Sequence, residues 1–361
     1  MSFIARHRAA VIPVVALAVL VATFGRHPGT PALIAVAVVL ALAVMASVHH
    51  AEVVALRVGE PLGSLILAVA VTVIEVGLIV VLMASAPERN AGTARDTVFA
   101  AAMIACNGIV GGVLIIGTWR GRVAVFNPEG IGGAVAAIAA LATLSLVLPN
   151  FTETVPGPYF STTQLVFAAA ASLAIYVAFV VVQNVRHRDF FLPPATAGEH
   201  EDETHAPRPT GRDALISLGL LLTSLLAVVG LAKTDRPLLE DAVTTAGLPQ
   251  TVVAVAIALL ILLPESLSAL KAARRGRLQT GLNLAYGSTM ASIGLTIPVI
   301  AVIAVVFDQR LALGLDGVDI VLLALTVITS ALTVVPGRST MLQGVVHLAV
   351  FAAFLVLAFN P

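Results

Sequence analysis

The sequence predicts an all-α polytopic membrane protein of about 11 transmembrane helices, one leading helix followed by two inverted five-helix repeats. Three observations support this. Of 361 residues, 59% are hydrophobic and only 11% are charged, where soluble domains carry roughly 25%. Apolar stretches recur from end to end, each long enough or nearly long enough to cross a bilayer. Two glutamates, Glu75 and Glu265, stand inside such stretches at corresponding places in the two halves.

The first stretch, "MSFIARHRAAVIPVVALAVLVATF", has the charged start and short apolar core of a secretory signal. Another hydrophobic run comes after it rather than a polar domain, so it reads as a membrane helix at 9–24. Further spans lie at 31–48, 62–86, 96–117, 131–148, 163–183, 213–233, 249–270, 281–307, 318–335 and 341–359. Lys and Arg sort unevenly between alternate loops, 14 of 20 on the side of the N-terminus, Arg6 and Arg8 among them. That bias predicts a cytoplasmic N-terminus and, with an odd number of spans, an external C-terminus.

The longest polar segment, "RHRDFFLPPATAGEHEDETHAPRPTGRD", divides the chain. Residues 1–30 hold the leading helix, 31–183 the first repeat, 184–212 an acidic cytoplasmic linker and 213–361 the second repeat. Five is odd, so a duplicated five-helix unit inserts in opposite orientations, as in many secondary transporters. Glu75 and Glu265 each fall in the second helix of a repeat. Opposed repeats would bring them together near the bilayer midplane.

A carboxylate at the centre of a membrane helix costs about 2.5–3.5 kcal/mol on insertion scales. In "LLILLPESLSAL" it directly succeeds a proline, which removes a helical hydrogen bond as well. Hard cations such as calcium take oxygen ligands, and two carboxylates balance a divalent charge. Supporting oxygens are at hand. Pro264 releases a carbonyl one turn earlier, next to Glu265. Thr72 lies three residues before Glu75 on the same helical face. Ser288, Ser292 and Thr296 recur at i, i+4 and i+8, and Asn107 stands beside Gly108, Gly111 and Gly112. Each has a plainer reading: membrane serines bond back to their own helix, and glycine patches serve packing. The same carboxylates suit proton coupling, because burial raises a glutamate pKa and a metal needs deprotonated ligands.

Other classes are excluded or disfavoured. Net charge is zero and no basic stripe exists, which argues against nucleic acid. "GIVGG" lacks P-loop spacing and a lysine, so ATP is not the expected driver. No catalytic residues and no resident cofactor are expected, and the single Cys106 can form no internal disulfide. "GEHEDETHAP" reads as a solvated linker, with a weak cation or pH sensor as the sharper alternative. "KAARRGR" reads as a topology signal that touches anionic lipid. His347 can join a proton relay but more often such a histidine bonds a neighbouring helix.

"GEPLGSLILAVAVTVIEVGLI", "RDTVFAAAMI" and "PESLSALKAARRGRLQTGLNLAYGSTMASIGLTIP" resemble the two α-repeats of the calcium/cation antiporter superfamily, most closely the bacterial ChaA-type cation/proton exchangers. The resemblance spans nearly the whole chain. It implies an exchanger-type fold and export of Ca2+, with Na+ or K+ as further cargo, in return for H+. The essential repeat glutamates of the family would fall on Glu75 and Glu265, its second-repeat G-S segment on Gly287 and Ser288, and the matching first-repeat position on Asn107. One departure is clear. Many members have G-N-x-x-E before each glutamate, where this chain has Val71-Thr72 and Ile261-Leu262.

The reading is therefore an antiporter of the bacterial cytoplasmic (inner) membrane working by alternating access. A passive cation channel, a Na+-coupled calcium exchanger and a membrane scaffold without transport remain open alternatives. Inorganic cations, protons and lipid are the expected partners; the sequence is silent on oligomeric state.

Overall fold

The computed structural model describes residues 3–26, 28–59, 62–83, 91–120, 123–194, 209–249 and 251–360. The "GEHEDETHAP" stretch and the side chains of Arg6 and Arg8 lie outside the described residues. Among the described residues, nine helices are long and apolar enough to cross a membrane, and the shorter apolar helices Ala10–Thr23 and Leu65–Val81 occupy the first and third predicted places. Each predicted span thus coincides with a helix.

Two helices run well past their predicted ends. The second continues to Val58 and the seventh span to Thr245. Hydropathy detects where lipid stops, not where hydrogen bonding stops. His49, His50 and Glu52, beyond the predicted end at 48, lie within the helix, with His50 buried and Glu52 exposed.

The chain forms two compact units, one of residues 1–86 and 203–261, the other of residues 87–202 and 262–361. Each draws on both halves of the sequence. The first contains α1 (Phe3–Thr23), α2 (Thr30–Val58), α3 (Leu62–Met83), α8 (Gly211–Thr245) and the beginning of α9 (Thr251–Arg274). Its core joins Ala16 and Leu20 of α1, Leu40 and Ala43 of α2, Ile74 of α3 and Val228 of α8. Lipid is as apolar as leucine, so helices associate here by close packing rather than by escape from water. Small residues permit the approach. A Cβ at Gly230 would stand 2.5 Å from Leu20, and one at Gly77 would stand 2.5 Å from Val229. Gly59 ends α2 with φ +79°, a left-handed conformation suited to glycine, and its N–H caps the Ala55 carbonyl.

The second unit contains α4 (Thr93–Met103), α5 (Val110–Arg120), α6 (Pro128–Ala142), α7 (Thr162–Val181), the remainder of α9, α10 (Leu278–Ala291), α11 (Ile297–Val306), α12 (Gly317–Val334) and α13 (Met341–Phe359). Two of its spans are interrupted in the same way. A π-helical turn, Ile104–Ile109, links α4 to α5, and another, Ser292–Thr296, links α10 to α11. These are the third helices of the two sequence repeats. Local chemistry sets the helix starts: Ser161 and Gln164 form a capping box on α7, and Asn127 accepts from the Glu129 N–H ahead of α6. A short antiparallel pair, β1 (Ala124–Val125) with β2 (Arg338–Ser339), ties the loops before α6 and α13.

At one end of this unit, residues 311–315 form a buried loop. The Arg95 guanidinium donates to the Gly314 carbonyl at 2.7 Å and pairs with Asp96 at 2.7 Å, while Asn150 donates to the Leu315 carbonyl at 2.7 Å. The buried carbonyls of Gly314 and Leu315 are therefore met by side chains.

One close helix contact in this unit sets a test. A Cβ at Gly111 would lie 2.9 Å from Leu348 and 3.0 Å from the Gly344 carbonyl, whereas one at Gly133 meets nothing within 4 Å. Gly111→Leu should destabilise by about 1–3 kcal/mol. Gly133→Ala should be neutral or stabilise by up to about 1 kcal/mol. Thermal unfolding in detergent compares the two, and equal behaviour would refute the packing assignment.

Candidate functional site

Glu75 stands in the interior of α3 and is 2% exposed. It has no aqueous shell to stabilise a charge, so protein groups or a bound cation must supply the compensation. Thr72, one turn earlier, is also buried, and its hydroxyl donates to the Ala68 carbonyl at 2.9 Å. That back-bond satisfies the hydroxyl proton and leaves the oxygen lone pairs as acceptors. Both residues belong to the first unit.

Asn107, Pro264, Glu265, Gly287, Ser288 and Ser292 belong to the second unit. α9 runs unbroken through Pro264, which is buried. Glu265 is half-buried, with its Oε2 enclosed by protein. Ser266 donates to the Leu262 carbonyl at 2.6 Å, so this hydroxyl also turns back on its helix. The turn after Glu265 is packed tightly. A Cβ at Gly281 of α10 would lie 3.1 Å from the Ala269 carbonyl, and one at Gly112 of α5 would lie 2.8 Å from Leu270. Glycines on α5 and α10 therefore bring two spans, each carrying a π-turn, against the helix that bears Glu265.

Ser288 and Gly287 are half-buried on α10, and nothing stands within 4 Å of where a Gly287 Cβ would be. Ser292 and Thr296 are buried and bracket the π-turn. The expected straight polar stripe through 288, 292 and 296 assumed an unbroken α-helix. A π-turn bonds i to i+5 and rotates the helix beyond it, so the i+4 spacing does not describe one straight face there.

Asn107 is fully buried, and both ends of its amide are engaged. Its Nδ2 donates to Thr326 Oγ1 at 2.9 Å, and its Oδ1 lies 3.2 Å from His347 Nδ1. His347 thus bonds neighbouring spans, since its Nε2 also meets Thr333 Oγ1 at 3.1 Å. The hydroxyl stripe Thr326, Thr329, Ser330 and Thr333 on α12, buried throughout, was not anticipated. Its i, i+3, i+4, i+7 spacing was legible, but no acidic residue drew attention to it. Among the described residues no group of three or more His, Cys, Asp or Glu could hold a metal.

Two intramembrane glutamates in matching helices, with π-turns in the next helix of each repeat, are repeat features, and comparison with known proteins finds the repeat. The sodium/calcium exchanger protein family matches residues 29–185 and again 216–360. The chain belongs to that family. Among relatives of this exchanger, a Sinorhizobium fredii protein carrying the provisional name ionic transporter y4hA is 47% identical over 326 residues, 88% of this chain and 86% of that protein. The sodium-potassium/proton antiporter ChaA of Escherichia coli is 33% identical over 353 residues, 97% of this chain and 95% of that protein. Among solved structures, the H+/Ca2+ exchanger CAX superposes with a TM-score of 0.73 at 15% identity, covering 97% of this chain and 88% of that one. The exchanger fold is therefore shared where little sequence is.

Thr72→Val keeps the shape of the side chain and removes its oxygen. Because the Ala68 carbonyl is a helix carbonyl within α3, stability should change by no more than about 1 kcal/mol. Apparent cation affinity should fall. Thermal unfolding and cation titration of the same preparation separate the two effects, and unaltered affinity would remove Thr72 from the site.

Proposed function

We propose that this exchanger is a secondary active antiporter of the bacterial inner membrane that exports Ca2+, with Na+ or K+ as further cargo, in return for H+. The observation that carries the reading is Glu75, a carboxylate 2% exposed inside a membrane helix, with Glu265 as its counterpart in the second repeat. A buried carboxylate in lipid is tolerable when protonated or when paired with a cation, and exchange alternates between those states. Thr72, Ser288, Ser292, Gly287, Asn107 and the carbonyl released by Pro264 support the two glutamates. The likeness to ChaA and to CAX supports proton-coupled cation transport. The lysine and arginine bias supports a cytoplasmic N-terminus, an acidic linker on the same side and an external C-terminus. No chemical transformation of the cargo is involved.

Glu75→Gln and Glu265→Gln keep size and hydrogen-bonding capacity but remove charge and titration. Each should insert and fold yet lower exchange by about tenfold or more, because a divalent ion left with one carboxylate loses half its compensating charge. Proton flux in sealed vesicles, with calcium, sodium, potassium and magnesium added in turn, is the measurement. Near wild-type exchange by either variant at equal protein amounts would make the glutamates structural.

Apparent calcium affinity should strengthen as pH rises. Protons occupy the carboxylate oxygens at low pH and must leave before the cation binds, a gain of up to about tenfold per pH unit for each competing proton. An affinity that stays flat from mildly acidic to alkaline pH would show that ion and proton use separate groups.

A further inference from the structure

The chain of buried polar groups that runs through His347 has a single consistent set of donors. Thr326 spends its one hydroxyl proton on the Leu322 carbonyl at 2.8 Å, so its oxygen accepts from Asn107 Nδ2. The other end of the amide, Oδ1, is then an acceptor, and His347 Nδ1 must carry a proton toward it. A neutral imidazole protonated at Nδ1 accepts at Nε2, which the Thr333 hydroxyl supplies. Each of these polar atoms is satisfied, and the chain ties the π-turn Ile104–Ile109 to α12 and α13.

The backbone of the π-turn is irregular at the residue before Asn107. The Val110 N–H goes to the carbonyls of Ala105 and Asn107 and passes over Cys106, whose carbonyl it would meet in a regular α-helix. The imidazole N–H therefore serves the side chain of Asn107, the residue next to that displaced carbonyl. From Cys106 the tie continues into the second repeat. Thr289 donates to the Ala285 carbonyl at 3.1 Å, which leaves its oxygen to accept from the Cys106 thiol at 3.5 Å. Thr289 is the next residue after Gly287 and Ser288.

We propose that His347 is a positioning residue for cation binding, holding the π-turn Ile104–Ile109 through Asn107 so that the turn seats against the Gly287-Ser288 segment. Asn107 then acts from behind the ion ligands rather than as one of them. The inference rests on the reading that Gly287 and Ser288 support the cation. Groups that orient a metal's ligands typically matter by about 10–100-fold in affinity, and this fixes the size of the expected effect.

The test uses full-length protein purified in detergent, with calcium affinity read from the calcium-dependent rise in Tm, and proton-coupled exchange measured separately in vesicles. His347→Leu should weaken calcium affinity by about tenfold or more, and leave the maximal exchange rate at saturating calcium within about twofold. His347→Asn places an N–H donor near the position of Nδ1, and should recover affinity to within about threefold. A purely structural histidine would lower the calcium-free Tm and leave calcium affinity unchanged in His347→Leu, and that result overturns the proposal. Failure of His347→Asn to recover affinity overturns it too. Absence of proton-coupled exchange in wild type, with calcium binding and its dependence on His347 intact, would defeat the antiporter reading and leave this one standing.

Discussion

Inside a bilayer, a polar atom has only the protein to bond with, and this constraint organises the molecule. Most intramembrane hydroxyls meet it locally. Thr72 bonds to Ala68, Thr118 to Leu114 and Thr223 to Gly219, each one turn back along its own helix. Such bonds ask nothing of tertiary structure. Groups with more donors and acceptors than one helix can serve need neighbours. Asn107 and His347 find theirs on α12, on α13 and on each other. A carboxylate makes the strongest demand, because its charge must be matched as well as its hydrogen bonds. Glu75, 2% exposed within α3, makes that demand, and the proposed exchange meets it with a cation or a proton in turn.

The same constraint explains why glycine and alanine, rather than large apolar residues, lie at the helix contacts. No water is released when helices meet in lipid, so association depends on dispersion and on short-range contacts between backbones. Gly111 and Gly344 face each other across α5 and α13, and Gly281 lets α10 reach the Ala269 carbonyl on α9. Backbones this close also allow a side chain on one helix to reach a displaced carbonyl on another. π-turns occur at Ile104–Ile109 and Ser292–Thr296, and the first displaces such a carbonyl, that of Cys106. Their recurrence in the third helix of both repeats places the irregular backbone where polar partners converge, as is common at functional sites.

Composition and periodicity by themselves determined the membrane class, the helix positions and the candidate residues of the site. Each of these comes from a local rule: an apolar run must cross lipid, and a glutamate within it stands out against a scale that disfavours it by kilocalories. The boundaries at Val58 and Thr245 were not legible, because a helix that leaves the bilayer keeps its hydrogen bonds while losing its hydropathy. The partners of Asn107 were not legible either. Thr326 and His347 lie 219 and 240 residues away along the chain, and any buried hydroxyl or imidazole would have met the need for a partner. Only the tertiary structure shows both ends of that amide engaged by protein groups. It also decided how the chain is partitioned, drawing each compact unit from both halves. Sequence order records which helices were duplicated, whereas compactness depends on which faces interdigitate, and small residues at those faces carry too weak a local signal to name their partners.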